Sequence, residues 1–189
     1  MSMIRSFIAI ELNEQTKEKL SAIQNRVKKT EADLKLVNTD NIHLTLHFLG
    51  DIEIPKIDLL KKNIAPIVGE LSNFKIKPQG IGAFPNIKSP RIIWVGIEGG
   101  TTELMTIQER IGSELNRLGL EPEKRKFHPH LTLARVKSEK NKHILAKALK
   151  EFPPLQFDEI PVCEIALFKS TLSLQGPIYE VLKKWKLSG

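Results

Sequence analysis

Two short segments carry the residues best suited to chemistry, His43-Leu-Thr-Leu46 and His130-Leu-Thr-Leu133. An imidazole titrates near pH 6.5, so one copy can accept a proton near neutrality while a second donates one. A threonine hydroxyl two residues on can donate a hydrogen bond to an oxygen that gains negative charge in a transition state. Two histidines on opposite sides of a phosphorus atom would thus serve an in-line displacement. One would take the proton of the attacking oxygen, and the other would protonate the leaving oxygen. Such a site needs no metal. The pattern does not say which histidine takes which part.

The setting of the two segments is also repeated. His43 and His130 lie 87 positions apart, the difference between 130 and 43, and the same shift lays Ile8-Ala-Ile-Glu11 on Val95-Gly-Ile-Glu98. Self-similarity at a fixed offset points to a duplicated unit, roughly residues 4–85 and 91–172 within one bilobal domain over 1–189. On a strand, side chains alternate. His43 and Thr45 then share one face, with Leu44, Leu46 and Phe48 on the other, and His130 and Thr132 oppose Leu131 and Leu133. The leucines need a core, so each His-Thr pair faces away from it. Two lobes related by a pseudo-twofold would present the pairs on opposite walls of one cleft.

Elements that could position these segments follow from apolar spacing. Strands are expected at 4–10, 42–49, near 73–82, at 91–97 and 129–136, with further strand-like runs at 155–168 and 178–187. Helices are expected at 14–29 behind an Asn13 cap, at 54–70 with Pro55 in the first turn, from Thr101 or Thr102 to Gly119, and from Ser138 to 151. Ile57, Leu60, Ile64 and Ile67 form the core side of the second helix, and Pro66 is expected to kink or end it. The fold class is α+β, with two lobes each made of an antiparallel sheet backed by helices.

Composition narrows the classes of function. Hydrophobic residues make up 41% and charged residues 27% of 189, an ordinary globular balance that excludes collagen-like and disordered readings. No apolar run reaches the roughly 18 residues of a membrane span, and the N-terminal segment does not read as a signal peptide. A soluble, cytoplasmic protein is expected. One cysteine, Cys163, rules out an internal disulfide and a Cys-rich zinc site, and its apolar neighbours place it in the core. The net charge of +7 favours an anionic partner. Much of the lysine, however, lies beside glutamate in helical stretches (Lys17 to Lys19, Lys147 to Glu151) and reads as solvated face.

The chain resembles the 2H phosphoesterase superfamily, whose mark is a pair of His-x-Thr-x motifs, and within it the 2'-5' RNA ligase-like group of RNA 2',3'-cyclic phosphodiesterases. The resemblance rests on five blocks in order: Arg5 to Ile10, Asn41 to Gly50, Gly80 to Pro85, Phe127 to Arg135, and Lys169 to Leu172 with Gly176 to Tyr179. It implies hydrolysis of a terminal RNA 2',3'-cyclic phosphate to a 2'-phosphate, with 2'-5' joining as related chemistry. It makes His43 the proton donor to the leaving oxygen and His130 the acceptor that activates water, with Thr45 and Thr132 on the phosphate. It also implies no metal and no cofactor, RNA ends as partner (tRNA fragments among them), no membrane association, and a monomer. His47 departs from the family pattern, in which lysine often follows the motif.

Other residues admit two readings. Arg135 suits bidentate phosphate binding, yet strict alternation from His130 puts it on the leucine face unless the strand bulges. Phe84 and Tyr179 are candidate stacking surfaces for a terminal base, Phe127 is a weaker one, and Trp94, flanked by Ile and Val, reads as core. His47 shares the strand face of His43 and reads as a partly exposed strand residue. His128, before Pro129, reads as a loop or rim residue. Rival functions are a zinc site from His43, His47, His128 and His130, a non-catalytic RNA-binding module, and a phosphoesterase for another cyclic phosphate or a 2'-5' oligonucleotide.

Overall fold

The chain alternates strands and helices as its periodicity predicts. The computed structural model describes residues 3–121, 126–174 and 176–189. The elements are β1 (Met3–Ile10), α1 (Glu14–Lys28), β2 (Leu34–Leu36), a 3-10 turn (Thr39–Asn41), β3 (Leu44–Glu53), α2 (Ile54–Gly69), β4 (Phe74–Phe84), β5 (Ile92–Gly99), α3 (Thr101–Arg117), β6 (His130–Val136), α4 (Lys142–Lys150), β7 (Ile160–Val162), β8 (Glu164–Ser173) and β9 (Gly176–Lys186). Asn13 caps α1, its side chain accepting from the Thr16 N–H at 2.9 Å.

Four local expectations change. Pro66 lies inside α2 without ending it, because it sits one turn from the C-terminus on the exposed side, where the lost backbone bond matters little. Val68 rather than Ile67 completes the buried stripe of α2. The N-cap of α3 is Gly100 rather than a threonine: φ is +73°, and a Cβ there would stand 2.3 Å from the Lys75 carbonyl oxygen. Helix α4 begins at Lys142, not Ser138. Its cap, Asn141, donates from Nδ2 to the carbonyls of Thr30 and Glu31 and so docks the helix on the end of α1.

All four helices cover one face of a curled antiparallel sheet and share a single core with it, drawn from Leu20, Leu60, Ile111 and Leu145 on the helices and Ile8, Leu44, Val95 and Leu131 on the strands. Strand order is β7-β4-β5-β6-β3-β1-β8-β9, with β2 on the edge of β6. The two halves, β4-β5-β6 and β3-β1-β8, are joined between β6 and β3 by one register pair, Leu44 with Leu131. Those two leucines are equivalent under the 87-residue shift.

The lobes do not coincide with the sequence halves. β4 closes the first half of the chain but pairs with β5 of the second, and β8 of the second half pairs with β1 of the first. Each repeat lends its last strand to the other, and one continuous sheet replaces the two expected. The small strand β2 was not foreseen, because three residues carry too short a pattern to read. Its Lys35 stands directly across from Arg135.

Part of the helical surface charge is paired locally. Lys17 pairs with Glu14 at 2.7 Å, Lys142 with Glu139 at 2.7 Å and Lys61 with Asp58 at 3.2 Å, each one turn apart. No helix is long and apolar enough to cross a membrane among the described residues.

Candidate active site

The uncovered face of the sheet carries the two His-x-Thr segments. His43 and Thr45 lie on it half-buried, with Leu44 and Leu46 buried on the helix side, and His130 and Thr132 stand likewise against Leu131 and Leu133. Each imidazole is anchored in the same way. Nδ1–H of His43 donates to the Asn41 carbonyl at 2.7 Å, and Nδ1–H of His130 donates to the His128 carbonyl at 2.7 Å. A carbonyl oxygen only accepts, so Nδ1 holds the proton and Nε2 is the titrating nitrogen on both rings. Asn41 is itself held by its Nδ2 donating to the Pro177 carbonyl at 2.8 Å, which ties the approach to His43 to the start of β9.

The walls beneath the two rings differ. His43 stacks on Phe7, with centroids 4.6 Å apart and planes 21° apart, and meets the edge of Tyr179 at 5.3 Å. Phe7, Ala9, Ala166 and Phe168 form a small apolar floor there, with Tyr179 packed against it. His130 instead meets the edge of Phe84 at 5.0 Å, within a cluster of Phe84, Trp94 and His128. Trp94 is therefore not core: it is half-buried on the cleft face beside His128. Its indole lies across the backbone of Gly82, where a Cβ would come within 2.3 Å of the ring, so a glycine is required at that point. Phe127 packs against the main core instead. His128 is exposed ahead of β6, at the rim.

A β-bulge follows each motif. The β1–β3 register passes from Ala9 opposite Thr45 to Ile8 opposite His47, leaving Leu46 as the extra residue. The β5–β6 register passes from Trp94 opposite Thr132 to Ile93 opposite Ala134, leaving Leu133 extra. Leu46 and Leu133 are again 87 positions apart. After a bulge the alternation changes parity, with opposite results in the two lobes. Arg135 comes out on the cleft face, exposed, meeting the condition set for it. His47 turns inward, 3% exposed, donating from Nε2 to the Gln108 carbonyl of α3 at 2.7 Å. It is thus neither partly exposed nor on the face of His43, and Phe48, expected on the core face, is exposed instead. With His47 facing α3, the four histidines of the zinc reading do not converge. Cys163 is exposed rather than buried, because it lies between β7 and β8 with Val162 taking the inward position.

One cation of this face, Arg5, was missed. It shares the side of β1 with Phe7 and Ala9 and is exposed. Burial raises the Tyr179 phenol above its ordinary pKa, while the charges of Arg135 and Arg5 act against that, so one guanidinium from each lobe stands near the ring. Alternation from Phe7 would have marked Arg5 had the cleft face of β1 been known.

Burial pushes the pKa of His43 from 6.5 to about 4; its bond to the Asn41 carbonyl acts against this and the charge of His130 adds to it. His47 is also lowered by burial. A folded-state pKa below the unfolded one means that stability is complete above pH 6.5 and is lost as pH falls toward 4, because the unfolded chain takes up a proton the native site refuses. The thermal midpoint is expected to drop on acidification across that window, and to drop less in His43→Gln, which lacks the His43 contribution. Equal drops in the two proteins would show that the fold does not hold His43 neutral.

This arrangement places two imidazoles, two hydroxyls and two guanidinium groups on one open face, which suits an anionic group attacked from one side and expelled from the other. Comparison with known proteins shows the family. The model of the family described as LigT like Phosphoesterase matches the chain twice in succession, over residues 10–94 and 95–179. A protein of Methanocaldococcus jannaschii named RNA 2',3'-cyclic phosphodiesterase is 37% identical over 182 residues, covering 96% of this chain and all of the relative. One of Aeropyrum pernix bearing the same name is 36% identical over 168 residues, covering 89% and 94%. Among solved structures, E. coli LigT complexed with 3'-AMP is similar with a TM-score of 0.83 at 27% identity over the whole of both chains. From its family match, its relatives and its fold, this chain belongs to the LigT-like phosphoesterase family.

Proposed function

We propose that the protein hydrolyses the terminal 2',3'-cyclic phosphate of an RNA to a 2'-phosphate without a metal ion. The observation that carries this is the matched anchoring of His43 and His130, each with Nδ1–H on a carbonyl two residues upstream, on strands that meet at Leu44 and Leu131. Water attacks phosphorus and the P–O3' bond breaks. Nε2 of His130 takes the proton from the water, and Nε2–H of His43 delivers one to the departing O3'. That assignment of donor and acceptor follows the family resemblance. Thr45 and Thr132 donate to the non-bridging oxygens, where loss of one such donor costs about 10²–10³ in rate. Arg135 neutralises the phosphate, and Tyr179 and Phe84 flank the terminal nucleoside.

A donor must be protonated, and burial opposes this at His43. A bound phosphodiester supplies the missing counter-charge, which raises the pKa of a neighbouring imidazole. The same site would join ends when an RNA 5'-hydroxyl replaces water. RNA ends, tRNA fragments among them, are the proposed partners, and the chain acts as one bilobal monomeric unit.

The relatives' shared name supports the substrate class. A short RNA ending in 2',3'-cyclic phosphate, incubated in EDTA, should yield a 2'-phosphate end. A 3'-phosphate product, or activity that EDTA abolishes, would overturn the reaction as written.

A further inference from the structure

Strand residues supply cations to the cleft side of the sheet. Arg5, Lys35 and Arg135 are all exposed, and none has a carboxylate within ion-pair distance among the described residues. Lys35 and Arg135 are directly opposed across the antiparallel β2–β6 pair. Such positions put Cβ atoms about 5 Å apart on one face, and like charges there destabilise a sheet. Leu34 and Leu36 are half-buried on either side of Lys35, so its side chain projects with that of Arg135 and away from the core. No carboxylate pairs with either member among the described residues.

Its position is specific. On one edge of β6, β3 pairs at Leu131 and β2 pairs at Ala134 to Val136. β2 therefore continues the seam between the lobes, and the chain runs on from it through the 3-10 turn to His43. Along β6 the order is His130, Thr132, then Arg135 with Lys35 beside it. Thr132 and Arg135 are separated by roughly 10 Å at strand rise. An arginine side chain is long enough to turn back toward the reacting phosphate. Lys35, rooted beyond it, is placed for a different anion further along the seam.

We infer that Lys35, beside Arg135, forms a second anion subsite that holds the phosphodiester on the 5' side of the terminal nucleotide, so that the end of an oligonucleotide is preferred over a cyclic mononucleotide. The inference rests on the proposed function and extends it from the terminal group to the strand that carries it. The phosphate relieves the Lys35–Arg135 repulsion, and the unforeseen strand β2 acquires a purpose.

The test compares kcat/KM for a nucleoside 2',3'-cyclic phosphate and for a short RNA with the same end, in wild type and Lys35→Gln. On the RNA the variant should lose about three- to fivefold at low salt, the scale of an exposed ion pair, and on the mononucleotide it should be unchanged. Its thermal midpoint should not fall, since a repulsion has been removed. The slope of log affinity against log salt for an RNA ending in 2'-phosphate should decrease by about 0.7, one single-strand phosphate contact. Equal loss on both substrates, no loss on either, or a wild type that prefers the mononucleotide overturns the subsite. If wild type converts neither substrate, the proposed function fails, and the binding slope still decides the subsite: a slope unchanged in Lys35→Gln overturns it.

Discussion

Turnover of an RNA 2',3'-cyclic phosphate is expected to fall about 10²–10⁴-fold in His130→Ala and by a similar factor in His43→Gln, the usual contribution of a positioned acid or base. Glutamine is chosen at His43 because the ring lies on Phe7 and a smaller residue would leave a void. The double variant should be little worse than either single one. Donor and acceptor serve one displacement, and removing one leaves the other without its partner step. Affinity for an RNA 2'-phosphate end should survive in both single variants. Full turnover in either would remove the two-histidine mechanism, while unchanged affinity with no wild-type turnover would favour an RNA-binding module. The pH profiles carry further information. kcat/KM reports the free enzyme and kcat the complex. With His43 as donor, lowered to about 4 in the free protein, the alkaline limb of kcat should lie at higher pH than that of kcat/KM. Coincident limbs would argue that bound phosphate does not raise His43.

Leu131→Ala should lower stability by about 2–5 kcal/mol, the range for a fully buried leucine, with a drop in melting temperature on the order of 10 °C for a chain of this size. Leu131 and Leu44 are both 0% exposed and form the one register pair that joins the two half-sheets. Each also sits next to its catalytic candidate in the chain. Truncation at this seam leaves a cavity shared by both lobes, so the loss should not relax away within one of them. Leu44→Ala and Leu131→Ala should couple by about 0.5–3 kcal/mol in a double-mutant cycle, as expected for residues in contact. A destabilisation of Leu131→Ala below about 0.5 kcal/mol, typical of an open surface, would mean that the lobes are held together elsewhere.

Much of the site was legible in the chain because its information is local. His-x-Thr on a strand puts both polar groups on one face whatever the strand pairs with, and leucines between them name the other face as core. Asn13 caps α1 through a bond three residues long. The spacing of Leu104, Ile107, Ile111 and Leu115 marks the buried side of α3 without reference to the rest of the molecule. The 87-residue repeat, again a property of the chain alone, matches the equivalence of Leu44 and Leu131 across the seam.

What the tertiary structure decided is non-local, and in each case the reason is physical. The exchange of β4 and β8 between the sequence halves depends on which edges of β5 and β1 are open, and no residue in β4 or β8 advertises its partner. The bulges at Leu46 and Leu133 leave no mark in composition, since an extra leucine in a strand looks like any other. Yet each reverses the alternation beyond it, sending Arg135 to the cleft and His47 to α3 from positions that alternation assigns to the opposite faces. Trp94 read as core because its neighbours are apolar, and only the pairing of β5 with β6 opposite Thr132 shows that its face is the open one. The chain by itself determined which groups could act and that they come in two equivalent sets. Strand pairing decided which further side chains stand beside them, because register is set by contacts between segments distant in sequence.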